Sequence, residues 1–159
     1  MIRMPQIEWN ERFGAAANAR RELPRLAEHF FSQVTAALSA DPDAEQLHRV
    51  RLAAKRMRYT LELFRPCYGA ALEQRIECLR KLQQVLGEIN DCAVTRRLLA
   101  AAARSPHRAK AERFLAARQR ARTAELRRLW TTRLGVESQH RRWLTYLARN
   151  AHNPTQGRL

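Results

Sequence analysis

The chain has 159 residues, a formal net charge of +15 and 45% hydrophobic residues, enough for one domain with a real core. No apolar run approaches the ~20 residues that span a bilayer, and the opening MIRMPQIEWNERF lacks the apolar segment of a signal peptide. Cys67, Cys78 and Cys92 are odd in number and form no CxxC pair, so neither a disulfide framework nor a zinc site is indicated and a reducing cytoplasm fits best. Only Lys55, Lys81 and Lys110 are lysines; the other basic residues are arginines, whose planar forks suit phosphate-rich partners. A balance this cationic implies a polyanion: nucleic acid, an acidic membrane surface or an inorganic polymer.

In chain order, residues 1–8 read as a loose lead-in and Trp9 to Ala19 as a short helix weakened by Gly14. Leu23, Leu26, Phe30, Val34 and Leu38 mark a helix from about 22 to 39, with Pro24 either in its first turn or kinking a longer helix. Arg20, Arg21 and Arg25 add charge there, as a solvated face or an extension of a basic groove. Asp41 and Pro42 read as the cap and first position of a second helix running to about Phe64. Cys67-Tyr68-Gly69 reads as a connection. Leu72, Ile76, Leu79, Leu82 and Leu86 mark a third helix that Gly87 ends or kinks. Asn90-Asp91 reads as the cap of a fourth, carrying Val94, Leu98 and Leu99. Ser105-Pro106 breaks the pattern before a long charged helix over about 108–134, with Phe114, Leu115, Leu126, Leu129 and Trp130 as core candidates. A last helix over about 137–150 brings in Trp143, Leu144 and Leu147. Nothing alternates with period 2, so the expectation is all-α, a bundle of about five to six helices. One domain over 1–150 and a disordered tail over 151–159 complete it.

The informative stretch is Leu47 to Pro66. On a helix, His48, Arg51, Lys55 and Arg58 share one stripe spanning roughly 15 Å. Leu47, Val50, Ala54, Met57, Leu61 and Phe64 form an apolar stripe beside it; Leu52, Tyr59 and Leu63 fall on its other side. Cations flanked by apolar residues on both sides predict a half-buried groove, and Glu62 is the only acid on the stripe. Its counter-charge is therefore expected from an external anion.

The motifs Leu47-His48-x-Val50-Arg51-x-x-x-Lys55-x-x-Arg58-Tyr59-x-x-Glu62 and Leu79-x-x-Leu82-Gln83-x-x-Leu86-Gly87-x-x-Asn90-Asp91 resemble the CHAD family, the conserved histidine α-helical domain. The resemblance is strongest over 47–99. It implies binding of inorganic polyphosphate and association with polyphosphate granules or phosphate metabolism; the want of metal-binding carboxylates or an activated nucleophile beside the stripe reads as binding without catalysis. Carried over by motif, the phosphate-binding residues are His48, Arg51, Lys55 and Arg58, with Arg80 as partner across the groove and Lys81 as a further contact. Tyr59 and Glu62 either orient the cations or serve as packing and an internal ion pair. Asn90 and Asp91 match the motif, with helix capping as their alternative job. His48 is the one site residue whose charge can switch near neutral pH, which predicts tighter polyphosphate binding toward pH 6.

Family members usually carry two such units in tandem around a basic channel, and the version here resembles the second. Either two chains pair to rebuild the channel, or the sequence is a shortened form of a two-unit protein. The rival function is non-specific nucleic-acid binding, which the charge favours but no recognition-helix module supports. No Walker loop, HExxH or acidic cluster supports phosphoryl transfer. Neither a metal nor a cofactor is expected, and the expected place of action is the cytoplasm, at polyphosphate granules.

Overall fold

The computed structural model describes residues 4–153. Among them lie six α-helices: α1 (Ala15–Ser39), α2 (Ala44–Leu63), α3 (Arg65–Tyr68), α4 (Ala71–Ala101), α5 (Pro106–Leu129) and α6 (Glu137–Arg149). A π-helical turn, Trp130–Leu134, joins α5 to α6. The expected all-α bundle is the observed one. No helix among the described residues is long and apolar enough to cross a membrane.

α4 lies between α2 and α5, while α1 packs on α6 and α2. The core is one continuous cluster running from Met4 to Ala151. Fully buried side chains such as Leu23, Phe30, Met57, Leu61, Ile76 and Leu82 line it, each stabilising by about 1.5–3 kcal/mol relative to exposure. Phe31 brings three elements together: its ring centroid lies 5.6 Å from Trp130 and 5.4 Å from Trp143. At Gly135 a Cβ would sit 2.3 Å from the Trp130 indole nitrogen, so only glycine lets the π-helical turn close over that ring.

Several boundaries differ from the sequence reading. No helix forms over Trp9 to Asn10; α1 starts at Ala15, and Pro24 lies well inside it. The segment before α1 is tied down by two buried polar residues. Asn18 donates to the carbonyls of Asn10 and Phe13 at 2.9 and 3.0 Å, and Glu22 accepts from the Glu8 amide at 2.9 Å and from Arg25 at 2.6 Å. Burial alone would raise the Glu22 pKa, but Arg25, the Glu8 amide and Arg21 together hold it below its ordinary value. Arg21 and Arg25 also donate to the carbonyls of Glu8 and Gln6, and Arg20 to that of Ala151. These arginines fasten Gln6, Glu8 and Ala151 to α1 and do not extend a groove.

α2 is capped by Asp43, not Asp41. Gln46 sits three residues on and closes a reciprocal capping box, with bonds of 2.7 and 2.9 Å, a geometry unavailable to Asp41, which has Ala44 at that spacing. Asp41 instead accepts from Arg127 at 2.6 Å. Cys67-Tyr68 is not a loose connection but the buried end of α3, and Gly69 reverses the chain at φ +67°.

α4 runs unbroken through Gly87, Asn90 and Asp91. Its apolar row continues in register through Leu82, Val85, Leu86, Ile89 and Cys92, and that burial outweighs the ~1 kcal/mol cost of one internal glycine. Beyond Cys92 the pattern changes. Val94, Leu98 and Phe114 are exposed, so the far end of α4 and the start of α5 pair as a two-helix arm with no third layer. Residues 151 and 152 do not belong to the expected disordered tail: Ala151 is buried and the His152 amide donates to the Cys67 carbonyl at 2.7 Å. Residues 154–159 lie outside the described residues.

Candidate anion-binding site

Helical spacing puts His48, Arg51, Lys55 and Arg58 along the edge of α2 that borders α4. Arg58 is fixed first. Its Nε donates to Gln83 Oε1 on α4 at 2.7 Å, and its Nη1 to Glu62 Oε1 at 2.6 Å. Its guanidinium lies 4.4 Å from the Tyr59 ring centroid, with Lys55 Nζ at 5.6 Å from the same ring. Tyr59 is 49% exposed, so its ring contacts two cations rather than packing in the core.

Glu62 also accepts from Arg80 across the helix pair at 3.3 Å. Arg80 is held by two further acids of its own helix, Glu73 at 3.1 Å and Glu77 at 3.4 Å, and Glu73 by Arg65 at 3.0 Å. The expected partner across the groove is thus in place but internally neutralised. α4 supplies acids that the α2 stripe alone does not reveal.

The other end of the stripe is different. His48, Arg51 and Lys55 have no ion pair among the described residues. Arg51, Lys55, Arg58, Tyr59 and Gln83 line one cavity of about 220 Å³. Two donors of that wall, Arg51 Nε and Gln83 Nε2, are buried without an acceptor in the protein. Burying a donor unpaired costs about 1–3 kcal/mol, and two around one cationic cavity call for an acceptor-rich, negatively charged occupant.

Three expectations need correction. The stripe is not recessed between two apolar walls: Leu47, Val50, Ala54, Met57 and Leu61 are buried, but Leu52, Tyr59 and Leu63 are exposed. It forms a shelf, walled by α4 on one side and open on the other. Lys81 does not join it. One residue on from Arg80 turns the side chain by ~100°, into a separate hollow between α4 and α5 with Glu88, Arg122 and Arg128. Asp91 likewise faces α5, beside Phe114 and Arg118. Asn90 is in the helix interior, two turns beyond Gln83 on nearly the same line of α4, and neither residue is a cap.

Residues 5–100 match the family model of the CHAD domain. The chain belongs to the CHAD family. The matched span takes in α1 to α4 and therefore both walls of the CHAD shelf, while α5 and α6 lie beyond it. No curated protein and no solved structure matches the chain. Gln83, inside the CHAD motif, is the residue that motif reading undervalued: it anchors Arg58 and carries one of the two unpaired donors. Among the described residues no three His, Cys, Asp or Glu side chains cluster as a metal site.

Proposed function

We propose that the protein binds inorganic polyphosphate along the α2 shelf, as a binding module without catalysis, in the cytoplasm and at polyphosphate granules. The observation that carries this reading is the acid-free cavity of Arg51, Lys55, Arg58 and Gln83, with its two unpaired buried donors. A linear polyanion offers evenly spaced phosphates and no bases, so it needs a track of cations and no readout code. His48 to Arg58 supply that track over roughly 15 Å. Arg58, gripped by Gln83 and Glu62, is the fixed point, and Arg51 and Lys55 take the phosphates. The acids nearest the site, Glu62, Glu73 and Glu77, are each engaged by an arginine, which leaves no carboxylate positioned as a base and supports the non-catalytic reading.

Two chains pairing through α2 would turn the open shelf into a channel. The exposed row Leu52, Tyr59 and Leu63, which with Lys55 and Arg56 borders a shallow hollow, is the surface such pairing would cover. Light scattering should give twice the 18.5 kDa of one chain. A strictly monomeric protein that still bound polyphosphate would sink the pairing.

The rival reading is non-specific nucleic-acid binding. The open flank and the exposed Tyr59 ring favour it, because a single strand can stack on such a ring. Titration with long-chain polyphosphate separates the readings: Arg51→Ala/Arg58→Ala should abolish tight binding, and unchanged affinity in that variant would overturn the shelf as the site.

A further inference from the structure

We infer that a second, independent anion site lies between α4 and α6, built around Arg75 and selective for a single phosphate group. Arg75 crosses from α4 onto the aromatic side chains of α6. Its guanidinium carbon lies 3.5 Å from the Tyr146 ring centroid and 5.9 Å from that of Trp143. Its Nε is buried without a partner, and among the described residues its hydrogen bond runs from Nη1 to the Ala71 carbonyl at 3.2 Å. Among the described residues no carboxylate pairs with it. Burial lowers its pKa, and the groups working the other way are Tyr146 and Cys78, neither of which supplies a negative charge while protonated. A desolvated cation without a counter-ion is an unbalanced element of any fold.

The surroundings are arranged to donate. A cleft of about 600 Å³ is lined by Arg75, Ser138, Arg142, Thr145, Tyr146 and Asn150, together with Arg141. Arg141 is paired with Glu137, but Arg142 has no acidic partner among the described residues. Among the described residues the hydroxyls of Ser138 and Thr145 and the side-chain amide of Asn150 have no hydrogen-bond partner, while the Asn150 backbone N–H donates to the Tyr146 carbonyl. Ser138 stands in the first turn of α6, whose N-cap residue Val136 offers no side-chain cap, and the helix N-terminus adds positive potential there. Two unpaired guanidinium groups, two hydroxyls and an amide facing one cleft match a phosphate dianion, whose oxygens accept from several donors at once. The cleft shares no lining residue with the α2 shelf. Its compact donor cluster suits one terminal phosphate, free or on a small ester, rather than a polymer.

The test uses the whole chain at about 0.15 M NaCl, where screening removes loose surface attraction. Inorganic phosphate and glycerol phosphate are titrated separately while backbone and Arg side-chain NMR signals are followed. Saturable shifts confined to Arg75 and residues 138–150 are expected, with Arg142→Ala and Thr145→Val each weakening binding at least fivefold. Polyphosphate binding at α2 should stay unchanged in both variants, so failure of one site is distinguishable from failure of the other. Saturation by phosphate itself would assign the free ion, and saturation by the ester alone an organic phosphate; either supports the site. No saturation by about 10 mM, an equal response to chloride, or full binding in the Arg142→Ala/Thr145→Val double variant would overturn it.

Discussion

The two ends of the α2 stripe carry similar side chains and opposite electrostatic arrangements. At the C-terminal end, Arg58 and Arg80 share Glu62, and Glu73 and Glu77 complete the neutralisation. At the N-terminal end, Arg51 and Lys55 face a cavity with no acid and two unpaired donors. Counting basic residues would treat the ends alike. On the proposed reading, the difference teaches that a cationic stripe becomes a binding site only where the fold withholds counter-charges, the neutralised end holding the other in register.

The largest effect expected from this contrast is on Arg51 and Lys55. Arg51→Ala/Lys55→Ala should weaken polyphosphate binding about a hundredfold, some 2.8 kcal/mol, with helical content by circular dichroism unchanged; a loss below threefold would break the comparison.

A charge cluster that serves the fold alone gives the next effect. Glu22 is buried with its pKa depressed, so its contribution is present above the ordinary carboxylate value of 4.5 and is lost as pH falls through the lower folded value. Glu22→Gln should cost about 2 kcal/mol at pH 7 and less at pH 3, read by urea unfolding, while leaving polyphosphate affinity at pH 7 as in the parent. An equal cost at both pH values would show that the charge is not what matters.

Glu62→Gln sharpens the comparison from the other side. Releasing Arg58 and Arg80 should raise affinity about threefold, the scale of one partly exposed ion pair, measured by the same titration. Weaker binding would instead mean that holding Arg58 in position outweighs freeing its charge. Smallest of all, Lys81→Ala should change affinity by less than about twofold, because Lys81 faces α5.

Much of this was legible in sequence. The 3.6 period located α2 and α6 closely, and the CHAD motifs marked His48 through Arg58. What the pattern hid has identifiable causes. Gly87 and Asn90-Asp91 look like a stop and a cap, yet the apolar row passes them in register and burial decides. Asp41 and Asp43 are equally good caps until Gln46 selects the second. Leu52, Tyr59 and Leu63 read as a groove wall because apolar residues default to the interior; their exposure depends on where α4 packs. The neutralisation of Arg80 was partly readable, since Glu77 and Glu73 stand three and seven residues before it on one helical face. Its link to Glu62 needed the fold.

The most direct measurement is long-chain polyphosphate titrated at about 0.15 M salt against duplex DNA at equal phosphate concentration, with Arg51→Ala and Arg80→Ala side by side. The account predicts tight binding that DNA does not displace, a sharp fall in Arg51→Ala and near-parent affinity in Arg80→Ala. Equal displacement by DNA, with both variants weakened alike, would show a generic cation and contradict it.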